Sequence, residues 1–250
     1  MGKTDYHIHS DFSADSRIKL VDLIPLAAAK GYSAIAITEH LDLLPQELTI
    51  YGVPSLKKYK VRIEQLQKSY PAIKLIVGIE VGDFQAVKPF ADSILQEMKF
   101  ALVLGSVHFV RNHTNIAIPF RPELSAADVT DYYEQNLHLV ETCAIDILAH
   151  LGVYKRYYAQ QPVESHCQPI IRQIFQTLIQ RGIALEINFS CFRKTYQSLL
   201  PELNYLQLYK QLGGRLVSIG SDSHTLEHFD DNYHYARQAI TDFGFELIPL

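Results

Sequence analysis

The apolar runs of this chain are short and carry little polar alternation, and most of them stop at a histidine, aspartate or glutamate. The segment Lys3-Thr4-Asp5-Tyr6 leads into His7-Ile8-His9, Ala34-Ile35-Ala36-Ile37-Thr38 into Glu39-His40, and Leu75-Ile76-Val77-Gly78-Ile79 into Glu80. Ala101 to Val107 ends at His108, Ile145-Asp146-Ile147-Leu148-Ala149 at His150, and Leu216 to Ser221 at Asp222-Ser223-His224. Runs of this kind are expected of parallel strands covered on both faces. They predict strands at 3–8, 33–38, 73–80, 101–107, 145–149, 183–188 and 216–220. Between them, apolar residues recur at helical spacing. Segment 21–30 ends at Gly31, and 164–181 carries Ile170, Ile171, Ile174, Phe175, Leu178 and Ile179 before Gly182. Ser125-Ala126-Ala127-Asp128 reads as an N-terminal cap for a helix running to about 140. Further helices are predicted at 55–69, 85–98, 201–212 and 232–242.

Strand followed by helix, repeated about seven times, is the pattern of a parallel sheet or barrel. No Pro/Gly/Ser-rich linker interrupts it, so one domain is expected over 1–250. The least regular segments, 41–54, 109–124, 151–163 and 189–200, all follow predicted strands. They should gather at one end of the fold, where the loops of a parallel barrel carry function.

Composition narrows the class of function. With 250 residues, 48% of them hydrophobic, the chain can bury the core of one α/β barrel. The formal charge is −4 and no basic block occurs, which argues against a nucleic-acid groove or an anionic membrane surface and favours a small ligand. The 3 cysteines are scattered, without a C-x-x-C pair, so neither a disulfide framework nor a thiolate zinc site is expected. With no signal-like or membrane-spanning apolar stretch, a cytoplasmic protein is expected, as a monomer or homodimer.

The residues at the strand ends are the candidate chemistry. His7 and His9 lie two apart on a strand, so both side chains face the same side and can share one ion. Asp15, His40, Glu80, His108, His150, Asp222 and His224 would join them from other strand ends. A single histidine at a strand end is ordinarily a hydrogen-bonded structural residue. Six imidazoles and three carboxylates in one mouth are different, because burying them without counter-charge is costly. Nine such groups exceed what one tetrahedral ion requires. Their imidazole and carboxylate mix suits Zn2+, Mn2+ or iron (Fe2+/Fe3+) in a multinuclear hydrolytic site, with Glu80 as the bridging candidate. Arg156 and Arg193, on loops after the fifth and sixth strands, are placed to hold a phosphate. The other histidines, 113, 138, 166, 228 and 234, read as surface residues.

With these residues the chain resembles the PHP (polymerase and histidinol phosphatase) superfamily of metallophosphoesterases, and within it the stand-alone histidinol-phosphate phosphatases. The resemblance rests on Asp5-Tyr6-His7-Ile8-His9 with Ser13 and Asp15, on Thr38-Glu39-His40, and on Gly78-Ile79-Glu80. It continues through Gly105-Ser106-Val107-His108-Phe109, Ala149-His150-Leu151, Leu185-Glu186-Ile187-Asn188 and Gly220-Ser221-Asp222-Ser223-His224. It implies a distorted (β/α)7 barrel with three divalent ions at the C-terminal ends of the strands. By position, His7, His9, Glu80 and Asp222 would hold one ion, Glu80, His108 and His150 a second, and Asp15, His40 and His224 a third. Arg156 and Arg193 match positions that bind substrate phosphate. The implied activity is hydrolysis of a small phosphomonoester, foremost L-histidinol phosphate in histidine biosynthesis, by a hydroxide bridging two ions, with Glu80, Asp222 and His224 as catalytic groups. The same scaffold serves phosphotyrosine phosphatases and exonucleases, and a non-catalytic metal-binding domain is the rival of another class. Two stretches depart from the phosphatase pattern and are expected to line the substrate pocket. They are Gly152, where Asp is frequent, and Phe189-Ser190-Cys191-Phe192, where a small Thr-Ser-Gly turn is usual.

Overall fold

A computed structural model describes residues 2–50, 53–118, 123–157 and 164–249; parts of the three loops read at 41–54, 109–124 and 151–163 therefore lie outside the described residues. Eight strands form one all-parallel sheet. In chain order they are β1 (Lys3–Ile8), β2 (Tyr32–Asp42), β3 (Lys74–Gly82), β4 (Leu102–Ser106), β7 (Ile147–Leu148), β8 (Ala184–Asn188), β9 (Leu216–Gly220) and β10 (Glu246–Leu247), and they are neighbours in that same order. A two-stranded antiparallel hairpin, β5 (Phe109–Val110) and β6 (Thr114–Asn115), stands in the loop after β4.

The sheet curls until its first strand reaches β9. Ile8 bridges Ser223 in parallel, the Asp222 N–H donates to the His7 carbonyl at 2.8 Å, and the His9 N–H donates to Ser223 O at 3.1 Å. Further down, β9 pairs with β10 instead (Glu246 with Leu216, Leu247 with Val217). The result is a distorted (β/α)7 barrel, closed at the C-terminal ends of its strands, with an eighth strand at the other end of the seam. That strand is absent from the sequence reading, because two residues are too few to show a period.

Seven helices lie close to their expected positions: α1 (Leu20–Ala29), α3 (Leu56–Ser69), α4 (Phe84–Met98), α5 (Ala126–Thr142), α6 (Gln168–Arg181), α7 (Leu203–Gln211) and α8 (Tyr233–Phe243). A short α2 (Pro45–Ile50) adds structure to the loop after β2. The expected capping box is present: the Asp128 N–H donates to Ser125 Oγ, and the Ser125 N–H to Asp128 Oδ2. Among the described residues no helix is long and apolar enough to cross a membrane. The helices bury their apolar stripes against the outside of the barrel, as α6 does with Ile171, Ile174, Phe175 and Leu178.

A second, smaller apolar cluster lies apart from that outer layer and includes Ala34, Ala36, Ile76, Leu102, Leu104, Ile147 and Ala184. Counting upward in steps of two from these residues leads to the functional side chains: Ala36 to Thr38 to His40, Ile76 to Gly78 to Glu80, Leu104 to Ser106 to His108, and Ala184 to Glu186. Period-2 strand geometry therefore builds an apolar floor and a polar mouth from the same columns. Glycines in these columns make room for large neighbours. A methyl at Gly78 would lie 2.7 Å from Thr38 Cγ2, and one at Gly220 would overlap Glu186 Oε1 and come within 2.8 Å of His7 Cβ. Neither His7 nor Glu186 can retreat, both being fully buried. Gly220→Ala should therefore lower unfolding stability by about 1–3 kcal/mol, read by urea denaturation.

Candidate active site

The strand ends bring the nine predicted ligand residues together. His7 Nε2 lies 3.1 Å from His9 Nε2 and 3.3 Å from Glu80 Oε2. His9 Nε2 lies 3.4 Å from both Glu80 Oε2 and Asp222 Oδ1, and His7 Nε2 lies 3.7 Å from Asp222 Oδ1. The other Glu80 oxygen, Oε1, is 2.9 Å from His150 Nε2 and 3.6 Å from His108 Nε2. Asp15 Oδ2 is 3.6 Å from His40 Nε2 and 3.3 Å from His224 Nε2, which are themselves 3.3 Å apart.

These spacings fit metal ions. Ligand atoms about 2.0–2.1 Å from a tetrahedral ion stand roughly 3.3–3.4 Å from one another, and the separations above scatter around that edge length. Two imidazole nitrogens facing each other across 3.1 Å need a cation or a shared proton between them, since two lone pairs would repel. Buried atoms without a hydrogen-bond partner, Glu80 Oε2 and the Nδ1 atoms of His9, His40 and His150, lie in the same cluster.

Electrostatics tell the same story. Burial opposes ionisation of Glu80, but His7, His108, His150 and His40 outweigh it and hold the carboxyl well below its ordinary range. Burial likewise opposes ionisation of Asp222, and Arg156 and His7 reverse it. Burial disfavours a charged His7, yet Glu186, Glu80 and Asp222 raise its pKa well above normal. Three carboxylates around one imidazole demand positive charge. Burial, with His40 and His224, lowers His9 well below the usual imidazole range and keeps it a neutral donor.

A ring of further acids aligns the ligands. Glu186 accepts from His7 Nδ1 at 2.8 Å and from the His150 N–H at 2.6 Å, which leaves His7 Nε2 free to ligate. Glu39 accepts from the Ser10 hydroxyl and from Ser13 Oγ at 2.5 Å, and Ser13 Oγ in turn accepts the His40 N–H at 3.0 Å. Asp83 accepts the His108 and Phe109 N–H groups at 3.2 and 3.3 Å. Asp5 accepts those of His7 and Ser221 at 3.2 and 3.0 Å. Burial pushes Asp5, Glu39 and Asp83 each up to about 7. His150 and Asp222 sit at φ 26° and 51°, a left-handed backbone that is strained for these residues and turns their side chains into the mouth.

A cavity of about 270 Å³ opens above the cluster. Arg156 and Arg193 both line it, as expected. Arg156 is buried, donates through Nη2 to Asp222 Oδ2, and has an Nε without a partner among the described residues. Arg193 is clamped by Asp231, through Nε at 2.8 Å and Nη2 at 3.2 Å, and by the His228 carbonyl at 2.8 Å.

Three expectations need correction. Gly152 and the bulky residues of 189–192 were placed on the pocket wall, but only Ser190 of them lines it. Phe189 and Cys191 are fully buried, Phe192 stacks on Tyr235 at 4.1 Å, and Gly152 occupies a left-handed turn (φ 97°) that disfavours Asp. His228 is not a plain surface residue, since it is half-buried and lines the cavity. The sequence reading also missed Asp42 and Glu47 on that wall, although Asp42 continues the inner column one step beyond His40. Asp231 gave no sequence signal. Because Glu186 holds two ligand-bearing strand ends, Glu186→Gln should weaken metal binding about 10- to 100-fold, read by competition with a chromogenic chelator.

The model of the PHP domain matches residues 5–190. A protein of Clostridium acetobutylicum named probable histidinol-phosphatase is 28% identical over 242 residues, covering 93% of this chain and 90% of that one. The histidinol-phosphatase of Lactococcus lactis is 28% identical over 269 residues, covering 98% and 93%. The crystal structure of histidinol phosphate phosphatase from Lactococcus lactis, complexed with zinc, L-histidinol and phosphate, superposes with a TM-score of 0.86 at 27% identity, covering 99% of this chain and 95% of that one. By the match of the family model to 5–190, most of its length, this chain belongs to the PHP domain family.

Proposed function

We propose that this protein is a metal-dependent phosphomonoesterase that hydrolyses L-histidinol phosphate to L-histidinol and phosphate. The observation that carries it is the pairing of the two halves of the cavity: ligand atoms spaced as the edges of metal polyhedra, with two arginines beside them. The relatives that match along nearly the whole chain are histidinol-phosphatases, and the Lactococcus structure holds zinc and both products.

In this reading His7, His9, Glu80 and Asp222 hold one divalent ion, Glu80, His108 and His150 a second, and Asp15, His40 and His224 a third, with zinc the leading candidate. Such ions supply Lewis acidity and lower the pKa of water toward neutrality. The chain's own residues do the rest. Glu80, with Oε2 toward His7 and His9 and Oε1 toward His150 and His108, would offer one oxygen to an ion in each group. Arg156 offers its free Nε to a phosphate oxygen, while its Nη2 contact to Asp222 couples phosphate binding to a ligand. Arg193 lines the cavity with Nη1 donating to the Asp222 carbonyl at 3.4 Å and its other nitrogens held by Asp231 and the His228 carbonyl, which sets its guanidinium beside the ligands. Both guanidiniums stabilise the charge of the phosphoryl group in the transition state. Asp222 spends one oxygen on Arg156 and one on the histidines and stays ionised, so it serves as a ligand and not as proton donor. The proton for the leaving alkoxide then comes from water in the cavity.

Because β1 and β9, at opposite ends of the chain, both supply ligands to one site, residues 1–250 are read as a single catalytic domain. A cytoplasmic monomer or homodimer acting on a small ester, and not on nucleic acid, completes the proposal; the net charge of −4 and the confined cavity support it.

The test is phosphate release from a panel of L-histidinol phosphate, phosphotyrosine, an aryl phosphate and an oligonucleotide, with metal content measured on the same sample. L-histidinol phosphate should be the best substrate, and activity should vanish on chelation and return with Zn2+ or Mn2+. Cleavage of the oligonucleotide alone, or metal-loaded protein inert to every ester, would overturn the reading. Glu80→Gln and His108→Ala should each cost about a thousandfold or more in kcat/KM with an unchanged circular dichroism spectrum. Arg193→Lys should lose the fork geometry and raise KM roughly tenfold or more.

A further inference from the structure

The cavity wall on the side of β2 and α2 carries two acids that the proposed chemistry does not use. Glu47 is 2% exposed and Asp42 is 6% exposed, yet both line the cavity. Glu47 Oε2 and Asp42 Oδ1 are buried without a hydrogen-bond partner. Asp42, Glu47 and His108 each offer an atom within 4.8 Å of the others. Two buried carboxylates this close require a cation or a proton, and no lysine or arginine among the described residues pairs with either. The same cavity also has basic groups on its lining, Arg156, Arg193 and Lys194.

The cation that suits this wall is organic. His108 turns Nε2 toward Glu80 Oε1 at 3.6 Å and Nδ1 toward Asp42 Oδ1 at 3.9 Å. With Nε2 committed to the metal centre, a neutral His108 carries its proton on Nδ1 and cannot ligate a further ion there. Asp42 also faces His40 Nδ1 at 3.5 Å and so backs two ligands. Glu47 faces no such ligand nitrogen in an ion pair among the described residues, and α2 sets it on the lining of the same cavity as the arginines.

We infer that Glu47, supported by Asp42, forms a cation subsite that receives a positively charged group, an ammonium or imidazolium, on the alcohol half of the phosphomonoester. The site thereby selects substrates charged at both ends, anionic at the arginines and cationic at Glu47. This deepens the proposed function and rests on its assignment of the phosphate to the arginine side. Glu47 touches the leaving group only; it takes no part in P–O cleavage.

The test compares wild type with Glu47→Gln, which keeps shape and removes charge. Substrates are L-histidinol phosphate and the matched pair 2-aminoethyl phosphate and propyl phosphate, with metal content and inhibition by L-histidinol measured in parallel. The variant should lose roughly 10- to 100-fold in kcat/KM on the two cationic esters and bind L-histidinol correspondingly more weakly. Propyl phosphate turnover should stay within about twofold, and metal content should not change. Equal losses on charged and neutral esters, or loss of metal, would make Glu47 part of the metal centre and overturn the subsite. So would an unaltered preference for the cationic esters. If wild type ignores L-histidinol phosphate but favours 2-aminoethyl over propyl phosphate, and the variant erases that preference, the subsite stands while the named substrate falls. Should Glu47→Gln fold poorly, Glu47→Asp, which keeps the charge and shortens its reach, must show an intermediate loss on the cationic esters alone.

Discussion

Everything at the top of this barrel is arranged around one buried carboxylate. Glu80, fully buried at the end of β3, divides its two oxygens between His7, His9 and His40 on one side and His108 and His150 on the other. An anion so placed is tolerable only if its surroundings are net positive. Five imidazoles from β1, β2 and the ends of β4 and β7 converge on it, and none of them can move far without leaving it exposed to that cost. The distances among them fall on the edges of metal polyhedra, so the same constraint that fixes Glu80 fixes where cations belong.

A second tier of acids keeps the first in place. Asp5, Glu39, Asp83 and Glu186 bond to backbone N–H groups or serine hydroxyls beside the ligands and point none of their own oxygens at a shared ion. Their action is positional: each ties a chain reversal after one strand to a neighbouring strand or loop. The left-handed backbone at His150 and Asp222 persists because such bonds over-determine it. Arg156 and Arg193 are pinned in the same way, one by Asp222 and the other by Asp231, so the guanidiniums that line the cavity are held in place by the fold.

Much of this was legible in the chain. Apolar runs ending at His7, His40, Glu80, His108, His150 and Asp222 identified both the strands and the site, because a parallel strand has one buried body and one functional tip. The capping residues Ser125 and Asp128 and the terminating Gly182 were equally plain, each being a local device. The two-residue β10 and the six-residue α2 were missed, since elements that short lack a period to detect. The loop 189–192 was misjudged for another reason. Sequence places it after a strand, but which of its side chains face the cavity depends on what packs behind them, and Tyr233 and Tyr235 take Phe189 and Phe192.

The sequence by itself determined the alternation of parallel strands and helices, the functional end of the strands and the nine ligand-type residues, because strand period and the position of a strand's tip depend only on neighbours along the chain. Tertiary structure alone decided that the Glu80 oxygens serve two groups, that Glu186 steadies β1 and the end of β7 together, and that Asp231 clamps Arg193. It also decided that Glu47 Oε2 is left without a hydrogen-bond partner among the described residues. Each of these is a meeting of residues far apart in the chain, set by how the sheet closes between β1 and β9, and no local pattern encodes such a meeting.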